Sequence, residues 1–154
     1  MKHSIHFNTN AADLETIHTY LLRRNKDFTP SLSDKLDIYD FASKMYKHAN
    51  IYTVHENDKV IGLAGCYAND FTTLQAYITN FSIHPNYYGS GLAEELIDYC
   101  QEDLVQKGFR SIKLEVNNKN SRAINFYEKM GFSRIQENLE NNSMYMLKYL
   151  IPRT

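Results

Sequence analysis

Few residues in this sequence can pin a chain by special chemistry: two cysteines, three prolines and six glycines in 154 positions. Two cysteines make no disulfide framework. Cys66 falls in an apolar strand pattern and Cys100 on the apolar side of a helical one, where a thiol is most simply a small buried hydrophobe. Neither has a histidine or metal-type partner close in sequence, which argues against a catalytic thiol. The histidines at 3, 6, 18, 48, 55 and 84 share no i, i+4 pair, so no metal site is expected. Neither sign of charge predominates. Seventeen Lys and Arg against eighteen Asp and Glu leave a net charge of -1, which gives no electrostatic reason to expect nucleic acid or an anionic membrane as a partner. No apolar run nears the roughly 20 residues that span a bilayer. The first residues, Met1 to Phe7, enter an alternating pattern without the apolar centre of a signal peptide. A cytoplasmic location is therefore expected.

What is present is ordinary for a globular protein: 43% hydrophobic and 23% charged residues. The length suits one domain over 1–154 with one real core. There is no internal repeat, low-complexity tract or linker. Residues 3–8 alternate as a strand. Asn10 is placed to cap a helix over about 11–24, with Leu14, Ile17, Leu21 and Leu22 on one face. A loop, Asp27–Leu32, precedes a second helix that Ser33 is placed to cap, with Ile38, Phe41, Ala42, Met45, Tyr46 and Ala49 at helical spacing. A hairpin follows, with strands Ile51–His55 and Val60–Ala68 about a turn at 56–58. Leu74–Ile83 reads as a strand, Ser90–Lys107 as a long helix stopped by Gly108, and Ser111–Val116 as a strand. Ser121–Met130 is a helix, and Phe132–Gln136 and Met144–Ile151 are strands. The order β-α-α-β-β-β-α-β-α-β-β predicts an α/β fold. Its sheet is mixed and mostly antiparallel, with about seven strands and helices on both faces. The strands flanking the long helix form a βαβ crossover and should be parallel.

Phe81-Ser82-Ile83-His84-Pro85-Asn86-Tyr87-Tyr88-Gly89-Ser90-Gly91-Leu92-Ala93 is the first informative segment. A strand ends, a short loop follows, and two glycines open a long helix. Glycine lets the backbone turn tightly and approach a ligand. The first N–H groups of a helix lack internal partners and lie at the positive end of its dipole, so they suit phosphate without any charged side chain. The same glycines are also explained by a turn alone. A dinucleotide loop fits poorly, because its third glycine would fall at Glu94 and five residues separate the strand from Gly89.

About 30 residues on comes Asn120-Ser121-Arg122-Ala123-Ile124-Asn125-Phe126-Tyr127-Glu128-Lys129-Met130-Gly131-Phe132, again a helix after a strand. Together the two segments resemble the motifs of the GNAT superfamily of acetyl-CoA-dependent N-acetyltransferases. The resemblance covers about 81–132 and, by element order, the whole chain. It implies acetyl-CoA as cosubstrate and no metal. It implies that Phe81 and Ile83 present backbone groups to the acetyl-pantetheine arm. Tyr88, Gly89, Ser90, Gly91, Leu92 and Ala93 would wrap the pyrophosphate. Asn120 would hydrogen-bond the pantetheine region, Phe126 would line the cofactor site, and Tyr127 would lie near the thioester sulfur. One departure stands out: the family usually has Arg or Gln where this chain has Tyr88, so its pocket relies more on backbone N–H groups.

Transfer requires an amine that loses a proton, attack on the thioester carbonyl, and a proton for the departing thiolate. A phenol of pKa about 10 can protonate a thiolate whose acid has a pKa of about 8.5, so Tyr127 suits the acid role by chemistry as well. Core packing is the competing account of Tyr127. No general base is legible. Glu115, Asp70, Tyr67 and His84 are candidates, each with an ordinary structural explanation, and water could serve a free amine. The run Arg23-Arg24-Asn25-Lys26 reads as a solvated helix end, with an anionic ligand as its alternative. The expected function is acetyl transfer to a primary amine of a small molecule such as an amino sugar, by a monomer or homodimer. The alternatives are a non-catalytic acyl-CoA sensor and a peptide or protein N-acetyltransferase.

Overall fold

The computed structural model describes residues 4–151. Eleven principal elements follow the expected order: β1 (Ile5–Thr9), α1 (Leu14–Arg24), α2 (Ile38–His48), β2 (Asn50–Glu56), β3 (Lys59–Tyr67), β4 (Gln75–Ile83), α3 (Leu92–Gln106), β5 (Ser111–Asn117), α4 (Ser121–Lys129), β6 (Ser133–Asn138) and β7 (Ser143–Tyr149). The strands form one seven-stranded sheet in the order β1-β2-β3-β4-β5-β7-β6. Among the described residues only β4 and β5 pair in parallel, as a crossover through α3 requires.

Burial follows from each element's pattern. β3 is apolar on both sides and central. β6 is an exposed edge. Leu92, Leu96, Ile97, Cys100 and Leu104 of α3 form a helical stripe packed with Ile124 and Tyr127 of α4 over one face of the sheet. Ile17, Tyr20 and Leu21 of α1 and Ala42 and Met45 of α2 cover the other face, against Ile51 and Leu63. Cys66 and Cys100 are free and buried.

Two helix starts differ from the sequence reading. Asp13, not Asn10, caps α1 by accepting from the Thr16 N–H at 2.8 Å, and Asp37, not Ser33, caps α2. Asn10 takes a left-handed backbone conformation instead. It ties the end of β1 to β2, donating from its N–H to the Ile51 carbonyl and accepting the Ile51 N–H on Oδ1, both at 2.7 Å. Ser33 is held by the Asn25 amide inside the α1–α2 loop. Leu22 and Tyr46, placed on the buried stripes by spacing, are about half exposed. Tyr20 fills the core position on α1, and its hydroxyl bonds Ser82 of β4.

Candidate active site

The site begins where β4 and β5 part. Their pairing runs from Gln75–Ser111 to Ile78–Leu114 and stops, although β4 continues to Ile83 and β5 to Asn117. At that point β4 carries an irregularity against β3: Gly65 pairs Asn80 and Cys66 pairs Ile78, which leaves Thr79 as the extra residue. Beyond it the edge of β4 that would face β5 is unpaired backbone inside the fold, a place for an extended ligand with amide groups.

Three adjoining cavities follow this split. The first, of about 170 Å3, lies by the glycine loop and is lined by Phe81, Ser82, Ile83, Tyr88, Ala93, Asn120, Arg122 and Phe126. It shares Phe81, Asn120, Ala123 and Tyr127 with a second, of about 150 Å3, over Thr79 and Asn80. The second shares Ile78, Thr79, Glu115 and Asn117 with a third, of about 550 Å3, walled by Pro30, Leu32, Leu36, Phe41 and Tyr77. A trough thus runs from the glycine loop, past Tyr127, to Glu115.

Most of the residues expected from the sequence converge here. The Phe81 ring stacks on Phe126 at 5.6 Å between centroids, and Tyr127 meets Phe81, Phe126 and Phe132 edge-on. Tyr127 is buried, and burial lifts its phenol well above the usual range, so it stays protonated and able to donate. Gly89 and Gly91 hold φ of 78° and 88°, and a β-carbon on either would meet nothing within 4 Å. In the protein alone the glycines are therefore required by backbone conformation rather than by crowding. Gly91 caps α3 without a side chain. The Ser90 hydroxyl donates to the Tyr87 carbonyl and receives the Leu92 N–H at 3.3 Å. Leu92 and Ile83 point into the core. Asn120 caps α4 with Oδ1 on the Ala123 N–H at 3.2 Å, which leaves its amide NH2 as the end free for a ligand.

Of the four candidate bases only Glu115 lies in the trough. Asn138 Nδ2 donates to its Oε2 at 3.0 Å and the Ser143 hydroxyl donates to the same oxygen. Beside it the Tyr77 phenol is pushed up to about 12 by burial and by the Glu115 charge. Asp70 caps the turn at Thr72 and Thr73. Tyr67 lies with Asp70 around a separate hollow, and His84 accepts the Asn86 N–H on Nδ1. The expected solvated run is divided: Arg23 is exposed, while Arg24 is half-buried against Asp27 at 3.4 Å with one guanidinium nitrogen unpartnered.

Sequence reasoning passed over two features. Asn80 is buried over the middle cavity with no hydrogen-bond partner for its side-chain oxygen. The Phe28–Leu32 loop roofs the same space. An Asn near the end of a strand carries no signal of its own, and a loop's roofing role depends on where the chain folds back. Among the described residues no group of three His, Cys, Asp or Glu side chains is arranged for a metal.

A mixed sheet split between its parallel strands, with a glycine loop opening the next helix, is the fold of CoA-dependent acetyltransferases. The PaiA N-acetyltransferase of Thermoplasma acidophilum, solved with coenzyme A, superposes with a TM-score of 0.73 at 15% identity, covering 95% of this chain and 99% of that one. The chain belongs to the GNAT acetyltransferase family, whose profile matches residues 17–132. It is thus an acyltransferase whose cosubstrate is acetyl-CoA. It is 31% identical over 107 residues to N-alpha-acetyltransferase 30 of Schizosaccharomyces pombe, covering 62% of this chain and 71% of that protein. It is 36% identical over 81 residues to the ribosomal protein bS18-alanine N-acetyltransferase of Haemophilus influenzae, where the match spans about half of each chain (52%).

Proposed function

We propose that this acetyltransferase acetylates the α-amine of a peptide or protein N terminus, with the acetyl-CoA arm along the β4 edge and the acceptor entering over Glu115. The observation that carries the transfer is the continuous trough with Tyr127 at one side and Glu115 further along it. The acceptor class is supported by the two relatives, one named for an N-alpha acceptor and the other for an alanine of a ribosomal protein, and by the size of the Glu115 cavity, about 550 Å3.

In this reading unpaired β4 backbone at Phe81 and Ile83 meets the amides of the pantetheine arm, and Phe126 packs beside it. The loop from Tyr88 to Ala93 and the first turn of α3 take the pyrophosphate. Glu115, directly or through water, takes a proton from the entering ammonium. Asn80 Oδ1 is an acceptor with nothing to accept until an N–H arrives. The amine lone pair attacks the thioester carbonyl, the new C–N bond forms and the C–S bond breaks. Tyr127 gives its proton to the leaving thiolate, and the extra proton on the new amide nitrogen is lost to water, which returns a proton to Tyr127.

A small amine such as an amino sugar is the second reading, favoured by the flat Tyr77 face on the acceptor cavity. Thiol release from acetyl-CoA, followed over peptides with free and blocked N termini, amino sugars and polyamines, decides between them. Turnover of free-amine peptides alone is expected. Preference for amino sugars would establish the second reading. Binding of acetyl-CoA without release by any acceptor would make the chain a sensor.

A further inference from the structure

The glycine loop carries no Lys or Arg between Phe81 and Ala93. The first turn of α3 is acidic instead, with Glu94 and Glu95. Backbone N–H groups can take phosphate there, and any positive charge added to them must come from elsewhere in the chain. One basic side chain lines the cavity beside the loop: Arg122, in the first turn of α4. Its guanidinium carbon lies 3.1 Å from the centroid of the Tyr88 ring. Tyr88 therefore holds the cation by its face and leaves the edge, with its N–H donors, free. Three other cations near this end face carboxylates: Lys129 pairs with Glu94 at 3.1 Å, Arg134 with Glu128 at 3.4 Å, and Arg24 through Nε with Asp27 at 3.4 Å, although a second Arg24 nitrogen is unpartnered. No carboxylate among the described residues pairs with Arg122.

We propose that Arg122, held flat on Tyr88, supplies the positive charge that binds a phosphate group of the CoA donor, and that Tyr88 is its positioning residue. The inference rests on the placement of the donor proposed above. Tyr88 thus does not leave the loop short of charge: its ring brings in a charge from the second helix. A flat, delocalised guanidinium is needed for this, because a lysine ammonium neither stacks flat nor offers a two-pronged edge to phosphate.

The test is the dissociation constant of CoA, 3′-dephospho-CoA and pantetheine, read by displacement of a fluorescent CoA analogue. Arg122→Gln should weaken CoA about tenfold, the scale of one charge-assisted contact, and leave the pantetheine constant where it was. If the 3′-phosphate is the partner, the variant and the wild type should bind 3′-dephospho-CoA alike. If the pyrophosphate is the partner, the tenfold gap should persist. Arg122→Lys should recover part of the loss, and CoA binding by Arg122→Gln should depend less on salt. Tyr88→Phe keeps the ring face and should lose less affinity than Tyr88→Leu. Tyr88→Leu should lose affinity, and adding it to Arg122→Gln should cost nothing more. Equal CoA binding by Arg122→Gln and wild type, or an equal loss for pantetheine, overturns the inference. Phe126→Ala and Gly91→Val locate such a failure. If they lose CoA, only the Arg122 assignment is wrong, and if they too bind normally, the donor lies elsewhere.

Discussion

At the scale of single residues, the proposed mechanism divides the chemistry between a group that keeps its proton, Tyr127, and one that takes one, Glu115. Tyr127→Phe removes one hydroxyl and keeps the ring among Phe81, Phe126 and Phe132. The turnover rate should fall roughly 10- to 1000-fold, as for a lost general acid, while acetyl-CoA affinity barely moves. Because burial raises the Tyr127 phenol, its ionisation should not cut activity at alkaline pH. The pH profile then reports the acceptor. A peptide α-amine has a pKa of about 8, so kcat/KM should rise and level off near there, whereas a lysine-like amine of about 10.4 would keep the profile climbing. Glu115→Gln should lower kcat about 100-fold at neutral pH and lose less at high pH, where the amine is already free. Unchanged rates in the Gln variant would leave deprotonation to water.

At the scale of elements, the site depends on how closely the sheet packs under it. A β-carbon on Gly62 of β3 would lie 2.6 Å from Val54 Cγ1 and 3.2 Å from Ile83 Cγ2. Gly62→Ala should therefore destabilise the protein by about 1–3 kcal/mol through overpacking, read as a lowered urea midpoint. Gly91→Val acts differently, since its β-carbon meets nothing and the cost is the left-handed backbone at φ 88°. It should spare the helix content seen by circular dichroism and weaken CoA. The elements were the most legible part of the chain, because a repeat of two or of 3.6 in apolar residues is imposed by burial on one face. The helix starts were not. Asn10, Asp13, Ser33 and Asp37 are all competent caps, and the choice fell to Asp13 and Asp37 because tertiary contacts to Ile51 and Asn25 claimed Asn10 and Ser33.

At the scale of the whole molecule, acid should destabilise the fold. The His55 imidazole is pushed down by burial and then by His6, and the His84 imidazole by burial and then by Arg24 and Lys59. The unfolded chain therefore takes up protons first. The stability contributed by the neutral rings is present above about pH 6.5 and is lost as pH falls through the lowered folded values. The carboxyls of Asp13 and Asp70, lowered by hydrogen bonds from Thr16 and Thr73, add a second loss below their ordinary value of 3.8. Urea midpoints at pH 8, 6 and 5 should decline in that order, and His55→Gln should flatten the upper part of the decline. Both thiols are raised by burial, Cys66 to about 12, so a thiol reagent should label neither until the protein unfolds.

Local pattern by itself determined the order of elements, the parallel pair around α3, and the two segments that carry the family's motifs, because each is a short-range consequence of apolar spacing or of glycine at a helix start. The residues drawn from those segments, Phe81, Tyr88, Asn120, Phe126 and Tyr127, do meet along one trough. Tertiary structure alone decided the far end of the trough. Glu115 of β5, Tyr77 and Asn80 of β4 and the Phe28–Leu32 roof come from three separate parts of the chain. They share a space only because β4 and β5 separate after Ile78 and Leu114 and the α1–α2 loop folds back over the gap. The meeting of Arg122 with Tyr88 is of the same kind. Thirty-four positions separate the two residues in sequence, and only the packing of α4 beside the glycine loop sets one on the other.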